Sequence, residues 1–281
     1  MKQALIKSSI PSNPSEVSGV NRRSFLTKAS VGALALLPFA ARADGSRDHD
    51  DSNDCDHRHA KERDTAILIA AEIAEALAVT TYTNIINMAP FFQNIPDDDQ
   101  EYLRGARQEE MSHYALEKSV TGKPSPFTTF YYPPKMFADA QTTLDILVTL
   151  EDAFIAAYLV GVRNFSTPAL RVTAARIMGI ESDHRTLARV LAGDVSRKDG
   201  GPITKITGIQ GKAERADPPN NNGYERTLGW TSITSAVTAL TPFLDKTAAG
   251  KAGFDTTKGY TFKPFTPHLA ESLGAFHSFA G

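Results

Sequence analysis

Four helical segments, residues 64–88, 97–121, 137–165 and 168–193, are set apart by prolines and glycines, and they constrain the fold of this 281-residue chain more than any other feature. Residues 64–88, DTAILIAAEIAEALAVTTYTNIINM, are apolar around most of the helix circumference, as a helix with several neighbours must be, and Pro90 ends them. Pro96 with Asp97, Asp98 and Asp99 opens the second helix, three acids lying at its positive end, and Gly122 closes it. Thr167-Pro168 supplies an N-cap and an N1 proline for the fourth, which Gly193 ends. Between helices 2 and 3, residues 123–136, KPSPFTTFYYPPKM, are too rich in proline for a helix and long enough to run the length of a bundle. The expected fold class is all-α: a four-helix bundle with a long crossover between helices 2 and 3.

The acids on these helices lie at matching distances from the turns. Glu75 is 13 residues before Met88 and Glu110 is 13 after Asp97, while Glu151 is 14 before Phe165 and Glu181 is 13 after Pro168. In antiparallel hairpins those offsets put all four carboxylates at one height, near mid-length. Glu110-x-x-His113 and Glu181-x-x-His184 add a histidine one turn along, on the same face as its glutamate. Glu75 also precedes Tyr82 by seven residues and Glu151 precedes Tyr158 by seven, so the chain reads as a duplicated helical hairpin.

Four carboxylates and two imidazoles inside a helical core cannot stand as bare charges, because desolvation costs several kcal/mol per ion and like charges repel. Two divalent cations remove the difficulty. Each would take one histidine nitrogen and one terminal carboxylate, the other two carboxylates would bridge, and open positions would remain for water, oxygen or peroxide. Glu72, one turn before Glu75, competes for the same ligand position; the tyrosine spacing favours Glu75. Glu109 and Asp152 are extra acids, either surface residues or hydrogen-bond partners of a ligand.

A glutamate on each of two helices with Glu-x-x-His on the other two resembles the ferritin-like di-iron and di-manganese carboxylate proteins. The likeness covers roughly residues 64–193. It implies a ferritin-like four-helix bundle, with Glu75, Glu110, His113, Glu151, Glu181 and His184 as ligands of two Fe or Mn ions and Glu110 and Glu181 as the bridges. The Glu-x6-Tyr spacing is similar to that of rubrerythrin-type helices, which implies that Tyr82 and Tyr158 each support a ligand by hydrogen bonding.

The first 43 residues are expected to be an export signal. Asn21-Arg22-Arg23-Ser24-Phe25-Leu26 reads as a twin-arginine motif, Val31 to Leu37 as a short apolar core, and Ala41-Arg42-Ala43 as the cleavage site, with cleavage after Ala43. The product would be periplasmic or extracellular, delivered folded by the twin-arginine translocation machinery, and no later segment is expected to span a membrane. The leader and the long C-terminal part look like those of the exported ferritin-like group that includes desiccation-related proteins. The leader takes six Lys/Arg and one acid out of totals of 30 and 32, leaving 24 basic against 31 acidic residues. That balance argues against nucleic acid or anionic lipid as a partner. The single cysteine, Cys55, rules out an intramolecular disulfide.

Residues 44–63, DGSRDHDDSNDCDHRHAKER, have almost no aliphatic side chains and are expected to be a flexible charged linker. His49, Cys55, His57 and His59 lie in it without a fixed ligand spacing. Beyond the bundle, residues 194–226 carry turn chemistry, and Leu228, Ile233, Val237, Leu240 and Leu244 predict one helix over 227–248. The aromatic tail from 249 includes His268 and His277, which read as packed or surface residues. Three functions fit: a redox enzyme acting on peroxide or oxygen, with manganese catalase as one relative of that chemistry; a non-enzymatic stress-protection protein with a structural metal; and an iron-storage oligomer, disfavoured by the long extensions at both ends of the bundle.

Overall fold

The structure, a computed structural model, describes residues 52–192 and 228–268, with side chains from Arg58 onward. The leader and cleavage site, residues 44–51 with His49, the side chains of Cys55 and His57, Gly193 with the turn-rich segment after it, and His277 lie outside the described residues.

The bundle consists of α1 (Ser52–Met88), α2 (Asp97–Thr121), α3 (Ala140–Asn164) and α4 (Pro168–Ala192). A 3-10 turn, Pro90–Asn94, joins α1 to α2 and buries Phe91 and Phe92. α1 packs mainly on α2 and α3 mainly on α4, and the two hairpins meet through α1 with α3 and α2 with α4. The punctuation works as the residues suggest. Gly122 takes the left-handed conformation (φ 70°), so its N–H reaches the Lys118 carbonyl at 2.9 Å and closes α2. Asp139 caps α3 by accepting the Thr142 N–H at 2.8 Å, which starts that helix after residue 137.

Three expectations need correction. The linker expected over 44–63 is helical from Ser52, so α1 begins twelve residues before Asp64. Residues 58–63 are mostly exposed and carry no apolar stripe, but Ala60, Lys61, Glu62 and Arg63 are good helix formers, and extending a helix already held by the bundle adds one backbone bond per residue. His59 sits in this turn, exposed and 3.6 Å from Glu62.

Next, α1 is by length and composition able to cross a membrane over Arg58–Met88, contrary to the expectation that no later segment could. Some 78% of the apolar window is buried inside the bundle, so its hydrophobicity is that of a core helix.

The single helix expected over 227–248 is instead α5 (Ile233–Leu244) and α6 (Lys246–Lys251). Asp245 divides them: its backbone is extended, and its side chain accepts the Ala248 N–H at 2.7 Å to cap the second helix.

The crossover and the tail also pair with each other. β1 (Thr129–Tyr132) and β2 (Asp255–Thr261) form an antiparallel ladder, with Thr129 opposite Thr261, Phe130 opposite Tyr260, and a register shift before Tyr132 opposite Asp255. Tyr132 meets Phe137, Phe243 and Tyr260 edge-on with centroids 4.9 to 5.9 Å apart, and its hydroxyl lies 3.0 Å from Thr81 Oγ1 on α1. Phe254 and Phe262 are buried as well, and Phe262 packs on Tyr114. Much of the tail's aromatic content is thus the cover of the bundle's α1–α2 side.

Candidate metal centre

Each helix brings its acid to the bundle axis at mid-length. Glu75, Glu110, His113, Glu151, Glu181 and His184 are all buried, and Glu110, Glu151 and Glu181 are 0% exposed. They fall into two sets, Glu75, Glu110, His113 and Glu181 in one and Glu110, Glu151, Glu181 and His184 in the other. Within each set one donor atom per residue lies within 4.8 Å of the rest. Glu110 and Glu181 are shared by both.

His113 Nδ1 stands 3.2 Å from Glu181, 3.5 Å from Glu110 and 3.6 Å from Glu75. His184 Nδ1 stands 2.9 Å from Glu110 Oε1 and 3.6 Å from Glu181 Oε2. Its other nitrogen, Nε2, is 2.8 Å from Oε2 of Glu109. A proton held at Nε2 by Glu109 leaves the Nδ1 lone pair aimed into the cluster, the tautomer a metal ligand needs. Both oxygens of Glu110 and of Glu181, Oε2 of Glu75 and of Glu151, and Nδ1 of both histidines are buried without a hydrogen-bond partner. Buried polar atoms are rarely left so, and this converging set of orphan oxygen and nitrogen donors fits a divalent cation in each half.

The electrostatics agree. Burial, then the charges of Glu110 and Glu181, hold both Glu75 and Glu151 well above the usual carboxylate range. Burial opposes ionisation of Glu110 too, but the positive charge of His184 and the closeness of both imidazoles bring it below that range. Burial lowers the two histidines, and the charge of Glu75 on His113 and of Glu110 on His184 raises both well above the ordinary imidazole value. Without cations the cluster keeps its charge down by holding protons.

The tyrosines cross between hairpins. Tyr82 on α1 donates to Glu151 Oε1 on α3 at 2.6 Å, and Tyr158 on α3 donates to Glu75 Oε1 on α1. Each half of the repeat therefore orients the other half's carboxylate. Of the competing acids, Glu72 is buried but lies outside both sets, its Oε2 accepting from Thr121 at 3.0 Å. Asp152 forms an ion pair with Arg185 at 3.1 Å. His268 is exposed, and its backbone N–H donates to Gln108.

Sequence reasoning passed over Glu117. It is 3% exposed, with Oε1 2.6 Å from the Tyr158 hydroxyl. Its signal was present, because Glu110, His113 and Glu117 follow the i, i+3, i+7 spacing of one helix face.

A helical bundle with a buried carboxylate and histidine cluster able to hold metal is the class that fold and site define together. The family model of the ferritin-like domain matches residues 63–194, which include all six cluster residues and both tyrosines. No curated protein matches the chain.

Proposed function

We propose that this chain is an exported ferritin-like protein that holds two divalent ions, Fe or Mn, and acts on peroxide or oxygen in protection against oxidative stress. The observation that carries this reading is the pair of four-residue sets sharing Glu110 and Glu181. One ion would take His113 and Glu75, the other His184 and Glu151, with Glu110 and Glu181 bridging. Two such ions can exchange two electrons with a small oxidant, as reduction of hydrogen peroxide to two waters requires, together with two protons.

The protein's own groups account for the rest. Tyr82 and Tyr158 hold protons at the outer oxygens of Glu151 and Glu75, keeping their inner oxygens turned to the centre. Glu109 holds the proton of His184 at Nε2. The cluster residues are themselves buried, which keeps bulk water away and strengthens every charge interaction among them. The leader supports delivery through the twin-arginine machinery, which carries folded cargo and lets the metal be chosen before export.

A second reading, stress protection without turnover, draws on the fact that every bundle helix contributes a donor, so bound metal would clamp all four. Metal content by inductively coupled plasma mass spectrometry, followed by peroxide turnover, separates the two. About two Fe or Mn per chain, lost in His113→Ala/His184→Ala, with turnover lost in Glu110→Ala and in His184→Ala, is the expected result. Stoichiometric metal without turnover favours the clamp, and no stoichiometric metal ends both.

A further inference from the structure

The first hairpin buries two acids that the cluster does not use. Glu72 is 1% exposed and Glu117 3%. Oε1 of Glu72 and Oε2 of Glu117 are both enclosed without a hydrogen-bond partner. At the equivalent places in the second hairpin, three before Glu151 and seven after Glu181, the chain has Val148 and Ala188. The bundle is therefore sealed there by apolar side chains, and nothing in its architecture asks for carboxylates, each costing several kcal/mol to bury charged and unpaired.

Their surroundings are those of a cation site. Burial, reinforced by the charge of Glu72, drives Glu117 well above the carboxylate range, and burial drives Glu72 to about 7 against the opposing pull of the Thr121 hydrogen bond and the Lys118 charge. Thr121 Oγ1 lies 3.0 Å from Glu72 and 3.1 Å from the Lys123 carbonyl oxygen, at the C-terminal end of α2, where exposed carbonyls give the helix its negative pole. On the inner side, the Tyr158 hydroxyl has one proton to give but touches Oε1 of both Glu75 and Glu117. It can satisfy only one of them at a time, and the positive charge that acts on Glu117 is that of His113, which already serves the cluster. All the donors are oxygens, with no imidazole or thiol among them, the choice of a hard cation.

We propose that Glu72 and Glu117, with Thr121, form a third cation site for a hard divalent ion such as Mn2+, lying between the six-residue cluster and the C-terminal end of α2. It needs no ion in the cluster and so stands apart from the function proposed above. Glu72→Gln/Glu117→Gln keeps the shape of both side chains and removes their charge.

The test is a titration of metal-free full-length protein with Mn2+, counting bound ions from the loss of the free-ion signal in electron paramagnetic resonance. The wild type is expected to take up one more Mn2+ than the double variant. His113→Ala/His184→Ala is expected to keep the ion that the glutamine variant loses. Equal Mn2+ counts in wild type and Glu72→Gln/Glu117→Gln overturn the third site; equal counts in wild type and His113→Ala/His184→Ala overturn the dinuclear cluster instead. Far-UV circular dichroism checks each fold, and Glu117→Gln alone serves if the double variant unfolds, with the same loss expected and an unchanged count equally fatal.

Discussion

Removing Glu109 should weaken metal binding in one half of the proposed dinuclear cluster and spare the other. Glu109 Oε2 lies 2.8 Å from His184 Nε2, and this hydrogen bond first of all holds the carboxyl below its usual range, so it is charged at neutral pH. Partners of this kind change metal affinity by about 10- to 100-fold. The Glu109 side chain is 42% exposed, so water takes over part of its work when it is gone. The low end applies: about tenfold, or roughly 1.4 kcal/mol. The repeat makes the effect one-sided, because the position before Glu181 is Ile180 and offers His113 no such carboxylate. A competition titration of Mn2+ against a chelator should therefore show one of the cluster's two equivalents weakened about tenfold in Glu109→Ala and the other cluster equivalent unchanged. Glu109→Gln should fall between, since its amide oxygen still accepts. Two equivalents weakened alike, or neither, would refute the tautomer argument.

Other perturbations read other parts of the site. Tyr158→Phe takes the hydroxyl from both Glu75 and Glu117 and should destabilise the metal-free protein by about 1–3 kcal/mol in urea denaturation; an unchanged midpoint would mean those carboxyls find water instead. Glu72 is pushed from 4.5 to about 7, chiefly by burial, so the folded chain keeps a proton that the unfolded chain releases. Its stabilising contribution is complete below about pH 4.5 and lost as pH rises through about 7, so metal-free Glu72→Gln should lose less stability than wild type across that window, by up to about 3 kcal/mol; parallel pH curves would contradict this. Phe130→Ala empties a 0% exposed position on β1 and should cost about 3–5 kcal/mol by the same denaturation measurement, a loss below 1 kcal/mol being evidence that the ladder packs loosely.

The bundle was readable in the sequence because its ends are written in residues with one conformational meaning. Pro96 and the three aspartates, Gly122 and Thr167-Pro168 act locally, and α2 and α4 start where those residues say. The height of the four acids followed from counting along helices of fixed rise. What was missed depends on partners distant in the chain. Residues 52–63 have no apolar stripe and are helical because the rest of α1 is already held. The segment TFYY becomes a strand only when β2 arrives from the tail. The tyrosine spacing favoured Glu75, the acid that joins the cluster, whereas Thr121 reaching across from α2 to Glu72 is a contact no spacing on α1 reveals. Asp152 was ambiguous because its partner, Arg185, sits on another helix.

The β1–β2 ladder also bears on how the molecule assembles. Each helical hairpin closes through a short turn, whereas Thr129 meets Thr261 across almost half the chain, so the ladder pays its loop-closure entropy last. Until it forms, the crossover is a slack tether, and the α1–α2 hairpin of one molecule can lodge against the α3–α4 hairpin of another. The ladder then serves as a latch that commits the two hairpins to the same molecule. A chain ending before residue 228 and refolded at high concentration should yield exchanged dimers by light scattering, where the full chain does not.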